Sequence, residues 1–144
     1  KIALTLGGTL KEAQKLHTTY WQRNKAVKQV AENLQVKQIG TKKWLLNPVS
    51  GFWYSLRAEK DRFSTLNQGT GVYCFDTYIK YVRKQGIKIS LQMHDEILFR
   101  LKKGTEAEVT EKLNEAIKEV NNEIKLNVPL GISMDYGNSY ADCH

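Results

Sequence analysis

Residues 87–101, IKISLQMHDEILFRL, constrain the fold more than any other stretch of this 144-residue chain. Ile87, Ile89, Leu91 and Met93 alternate with Lys88, Ser90, Gln92 and His94, the two-residue period of a half-buried strand. A second apolar alternation follows in Ile97, Phe99 and Leu101. Only His94, Asp95 and Glu96 lie between the two runs, so the segment predicts a tight hairpin with this polar triplet at its tip. Adjacent carboxylates between strongly apolar runs are costly unless they are solvated, paired or bound to a cation. Magnesium takes oxygen ligands, commonly one or two carboxylates together with substrate phosphates. Two such ions clamp the attacking and leaving oxygens in phosphoryl transfer. A solvated hairpin tip also contains Asp-Glu for no further reason, and the triplet alone leaves both readings open.

The flanking segments supply what such a hairpin packs against. Residues 9–34 predict a long amphipathic helix: Thr9 and Glu12 have capping-box spacing, and Leu10, Ala13, Leu16, Tyr20, Val27, Ala31 and Leu34 form the stripe, with one break after Tyr20. Residues 36–57 predict a hairpin whose tip lies near 47–51, where Asn47-Pro48-Val49-Ser50-Gly51 is turn chemistry. Residues 68–86 predict a helix ended by Gly86, with Val72, Phe75, Tyr78, Ile79 and Val82 as its apolar stripe. Residues 105–125 predict another, capped by Thr105 and Glu108 and lined by Val109, Leu113, Ala116, Ile117, Val120 and Ile124. Residues 126–134 predict a last short strand, placed at an edge by Pro129. The expected class is α+β, with helices on an antiparallel sheet.

Charge is spread unevenly. Residues 1–103 carry a net +12 and residues 104–144 a net −5. A basic body suits a polyanion, because phosphate neutralisation and counterion release drive nucleic-acid binding; a solvated lysine-rich surface has the same composition. No apolar run approaches the roughly 20 residues that span a bilayer, and IALTL near the start is too short for a secretory signal core. These features predict an intracellular protein without a membrane partner. Cys74 and Cys143, the two cysteines of the chain, are expected to be free thiols.

A second segment changes the weight of the first. AEKDRFSTLNQGTGVYCFD, then 14 residues, then LQMHDEILF, resembles the family A DNA polymerases of bacteria and bacteriophages. In that family an AER…QGT segment opens a palm helix, and an x-H-D-E hairpin follows at about this distance. Gly7-Gly8-Thr9-Leu10 with the Tyr20-Trp21 helix resembles the region after the nucleotide-binding fingers helix. The end, Gly137-Asn138-Ser139-Tyr140-Ala141-Asp142-Cys143-His144, resembles the carboxy-terminus of some phage members.

The resemblance implies a palm-type antiparallel sheet with packed helices, preceded by a long fingers-type helix and hairpin. Residues 1–50 would end the fingers and residues 51–144 would form the motif-C half of the palm. Asp95 matches the catalytic aspartate that binds Mg2+, and Glu96 its neighbouring carboxylate. His94 matches a histidine near the primer terminus, and Gln68 a glutamine on the minor-groove edge of the terminal base pair. Lys60 stands where an arginine is common, keeping the charge but losing the bidentate fork; Ser64 stands where many members have asparagine. The implied activity is DNA-directed nucleotidyl transfer on primer–template DNA with deoxynucleoside triphosphates. Nothing here matches the earlier motif that holds the second metal-binding aspartate, nor the fingers helix. The expectation is therefore one part of a polymerase, inactive alone and completed by a segment or subunit carrying both. The alternative is a palm module that holds primer–template DNA without catalysis.

Overall fold

A computed structural model describes Thr5 and residues 7–143; His144 and most of the IALTL stretch lie outside the described residues. The fold is α+β, and its contacts divide it into a first unit ending at Gln68 and a second beginning at Gly69. The expected fingers–palm division at 50/51 falls in a loop of the first unit. Among the described residues, no helix is long and apolar enough to cross a membrane.

The first unit opens on α1 (Leu10–Arg23) and α2 (Lys25–Asn33), two helices where one was expected. The Thr9–Glu12 capping box forms in both directions. Asn24 then leaves helical geometry at φ −106°, ψ 40°, and its side-chain amide donates to the Tyr20 carbonyl at 2.8 Å. An asparagine that captures its own helix's carbonyls competes with the backbone ladder, and the break in the apolar stripe after Tyr20 falls at the same place. Ala13 is the only buried residue of α1, while Leu10, Leu16 and Tyr20 are exposed.

An antiparallel meander follows: β1 (Val36–Ile39), β2 (Lys42–Leu46) and β3 (Trp53–Leu56). The expected tip at 47–51 joins β2 to β3. A further hairpin, β1 to β2, turns through Gly40-Thr41, with Ile39 opposite Lys42. Gly40 has φ 59°, and a glycine supplies the positive φ that a two-residue hairpin loop needs without a Cβ penalty. The centre of this unit is Leu45, Leu56 and a fully buried Asn47. The Asn47 side chain accepts from the Val49 and Ser50 amides at 2.9 and 3.2 Å and donates to the Leu66 carbonyl at 3.3 Å. It thereby closes the β2–β3 loop and ties it to α3 (Arg62–Lys84).

α3 begins six residues before the expected start at Gln68, after a 3₁₀ turn over Glu59–Asp61. It ends as expected at Gly86: φ there is 79°, the Gly86 amide donates to the Arg83 carbonyl, and the Ile87 amide donates to the Val82 carbonyl. These are the two bonds of a Schellman cap. In the second unit, Tyr78 and Val82 of α3 pack with Leu113, Ala116 and Val120 of α4 (Glu106–Ile124). All six expected α4 stripe residues join this core; of the α3 stripe, Phe75, Tyr78 and Val82 join it, Ile79 is buried but outside it, and Val72 is 57% exposed. Burial pushes the Tyr78 hydroxyl up to about 12. The expected Thr105 cap is not made: Thr105 sits at φ −106°, ψ 10° rather than in the extended geometry usual for a cap, and its hydroxyl donates to the Lys102 carbonyl at 2.6 Å.

The hairpin of β4 (Ile89–Met93) and β5 (Glu96–Phe99) completes this unit. The register steps from Ile89 opposite Phe99 to Leu91 opposite Leu98, leaving Ser90 as an extra residue. Such a bulge reverses which face the following side chains occupy. Ile87, Ile89, Ile97 and Phe99 therefore meet the core, whereas Leu91 and Met93 turn to the opposite face, 49% and 37% exposed. The expected inward Leu91 and Met93 are thus corrected by the bulge. No strand forms over 126–134. Leu130, Ile132 and Met134 pack against the core at alternate positions, and the Asn121 amide replaces a strand partner, donating to the Leu130 carbonyl at 2.9 Å and accepting its amide at 2.7 Å. Both cysteines are free, Cys74 buried and Cys143 half-buried.

Asn47→Ala should lower the unfolding free energy by about 1–3 kcal/mol, because buried amide and carbonyl groups lose their partners. Urea unfolding followed by circular dichroism measures this, and a loss below about 0.5 kcal/mol would contradict the anchoring role.

Candidate functional site

The triplet sits where the alternation placed it. Met93 pairs with Glu96, so the loop proper is His94-Asp95 and Glu96 is already the first residue of β5. His94 and Asp95 are exposed, and Glu96 is half-buried. Glu96 shares the outer face of the hairpin with Leu91, Met93 and Leu98, so the bulge at Ser90 also decides which apolar residues surround it.

His94 has φ 50°. Like Gly40-Thr41, this two-residue loop has a positive φ at its first position alone. Glycine meets that requirement in the first hairpin without strain. In the second, a residue with a Cβ meets it at a cost of roughly 1–2 kcal/mol. Strained backbone positions cluster at active sites and ligand clamps.

Asp95 and Glu96 bring two carboxylates to one tip. The donor chemistry suits a hard cation such as Mg2+, whose octahedral shell usually takes only one or two carboxylates from the protein. Among the described residues, no group of three or more His, Cys, Asp or Glu side chains is placed to hold a metal ion.

The other expected site residues lie in the first unit. Lys60 is in the 3₁₀ turn, and Ser64 and Gln68 follow on α3 at four-residue steps, all three exposed. Residues four apart on a helix share a face, so Ser64 and Gln68 present together. The Ser64 hydroxyl donates to the Asp61 carbonyl at 3.0 Å, which leaves its lone pairs for an outside donor. Beyond Gln68, Gly69 is buried while Gly71 has nothing within 4 Å of an added Cβ. Close packing thus accounts for at most one glycine of QGTG.

The turn that carries Lys60 is held by residues the sequence had not singled out. Glu59 receives Lys43 Nζ at 2.6 Å and Arg62 at 2.6 Å. The Lys43 bond first and the Arg62 bond second hold its carboxylate below the ordinary value. Arg62 also donates to the Glu32 carbonyl at 3.3 Å. The three-residue Glu59–Arg62 spacing was a readable signal; the Lys43 pairing, across 16 residues, had none. With Glu59 engaged on both sides, the neighbouring Lys60 charge faces outward.

At the chain end, Asp142 accepts from the Asn138 and Ser139 amides at 2.9 and 2.8 Å. A Cβ at Gly137 would fall 2.3 Å from that of Asp142, so the closed loop requires glycine there.

If the His94 backbone is strained, His94→Gly should be about 1 kcal/mol more stable than His94→Ala in urea unfolding. Equal stability of the two variants would show a relaxed turn. Comparison of the chain with known proteins finds no matching family model, no matching curated protein and no matching solved structure.

Proposed function

We propose that this chain contributes one half of a family A DNA polymerase active site. Asp95 and Glu96 are its metal-binding carboxylates, and His94, Lys60, Ser64 and Gln68 are its contacts to primer–template DNA. The observation that carries the reading is the strained His94 at the tip of a two-residue loop, beside two carboxylates that the sequence places at family spacing from QGT. The corresponding first position of the β1–β2 loop is glycine.

Each side chain then has a definite part. Asp95, on the loop itself, offers its oxygens at the point farthest from the hairpin's core. Glu96, fixed by pairing with Met93, stands beside it as the supporting carboxylate. Gln68 can donate to the minor-groove acceptors that every correct base pair shares. Lys60 contributes charge to a phosphate without the bidentate geometry of arginine. Bound Mg2+ would supply neutralisation of the charge that develops on the transferred phosphoryl group. The nucleotide-binding cations and the second aspartate would come from a complementary segment or subunit, and the assembly would act inside the cell.

The test is magnesium-dependent primer extension by the purified chain, alone and mixed with a fragment carrying the complementary motifs. The chain alone should be inactive, because half a two-metal site cannot position the reacting groups. The mixture should extend primer, and Asp95→Asn should abolish this while leaving DNA affinity nearly unchanged. Extension that survives Asp95→Asn would remove the catalytic assignment. DNA binding with no extension in any mixture would favour the non-catalytic module.

A further inference from the structure

The β1–β2–β3 sheet has two unlike faces. On one, Val36, Leu45 and Tyr54 form a row beside Gln38, Lys43 and Leu56; Leu45 and Leu56 are buried, and Lys43 is paired with Glu59. On the other, Lys37, Trp44 and Ser55 form one row, Leu46 and Trp53 the next, and Ile39 with Lys42 lies at the far end. Trp44, Leu46 and Trp53 are half-buried, Ile39 is 60% exposed, and Lys37 and Lys42 are exposed.

Two tryptophans thus stand diagonally on neighbouring strands, within reach of one another across the sheet. Lys37 spans the middle strand to place its ammonium 3.8 Å from the centre of the Trp53 ring. Residues 33–58 contain Lys37, Lys42, Lys43 and Arg57 and no carboxylate. With Lys43 neutralised on the opposite face, Lys37 and Lys42 bracket the aromatic surface with positive charge.

This combination selects among occupants. A protein partner's interface core is depleted in lysine, which fits poorly with two lysines set among the apolar residues. Unpaired nucleic acid needs what this face has: aromatic rings for sequence-tolerant base stacking and cations along the backbone. A duplex keeps its bases stacked on each other and would use only the charge.

We propose that the outer face of the β1–β2–β3 sheet binds an unpaired stretch of polynucleotide, with bases on Trp44 and Trp53 and phosphates at Lys37 and Lys42. The exposed ammonium–ring contact of Lys37 is weaker than base stacking. A base can therefore take its place over Trp53, leaving the ammonium for the adjoining phosphate. The inference stands on the first unit's own residues and does not depend on the role of Asp95.

The experiment measures fluorescence anisotropy of a labelled oligothymidylate of roughly 12 nucleotides, within the site sizes of single-strand binders, with the full chain at low salt. Trp44→Ala and Trp53→Ala should each weaken binding about tenfold, and Trp44→Phe should keep most of the affinity. Lys42→Ala, at an exposed side chain that carries no packing, should reduce the slope of log affinity against log salt by about 0.7. Three results would overturn the inference: no binding, affinity indifferent to both Trp44→Ala and Lys42→Ala, or a loss on Trp44→Ala that is as large for a blunt duplex of the same length as for the single strand. A concentration-dependent dimer lost on Lys42→Ala would also overturn it, since a second copy of the chain would then cover the face.

Discussion

A two-residue hairpin loop is a demanding connection, because the twist of the flanking strands must be matched by two residues alone. In the β4–β5 hairpin that demand sets nearly everything the tip presents. It forces positive φ on His94, fixes Asp95 as the second loop residue, and makes Glu96 the first rung of β5. The bulge at Ser90 then rotates Leu91 and Met93 away from the core while Ile89, Ile97 and Phe99 remain against α3 and α4. The anchoring is robust below the tip: the Schellman cap at Gly86 aims the chain out of α3, and Ile87 and Ile89 join the core directly after it. A rigid base and an exposed, strained tip follow from the same few residues.

The first unit uses a different device. Its sheet is too small to bury many side chains, and Asn47 does by hydrogen bonding what a larger apolar core does by area. One buried amide closes a loop and reaches the α3 backbone. The ion pairs of Glu59 with Lys43 and Arg62 join β2 to the beginning of the same helix. These pairs are exposed and therefore weak stabilisers. Their larger effect is to orient the turn that carries Lys60.

The elements legible in the sequence were those governed by local rules. The alternation around His94-Asp95-Glu96, the Thr9–Glu12 cap, the Gly86 stop and the α4 stripe all depend on residues within a turn or two of one another. The misses have local causes as well, but of kinds that periodicity does not register. Asn24 ends α1 where the apolar stripe only paused; Gly40 makes a second hairpin inside a segment read as one; a single extra residue at Ser90 inverts two side chains. Residues 126–134 have strand chemistry but no strand partner, and the Asn121 clamp that holds them is invisible in sequence. Of the candidate site, the position of His94-Asp95-Glu96 at a hairpin tip was legible and the positive φ at His94 was not, because residue identity does not report φ. The α+β class stands on the architecture itself, whereas the proposed polymerase role rests on motif spacing and the geometry of one tip.

The most direct measurement is site-resolved metal binding. Manganese, a paramagnetic substitute with the same preference for oxygen ligands, should broaden the amide resonances of residues 94–96 first when titrated into the isotopically labelled chain. The effect should be weak with the chain alone, sharper in the presence of the complementary segment and primer–template DNA, and absent in Asp95→Asn. Broadening centred on the acidic surface of α4, with the hairpin untouched under every condition, would contradict the account.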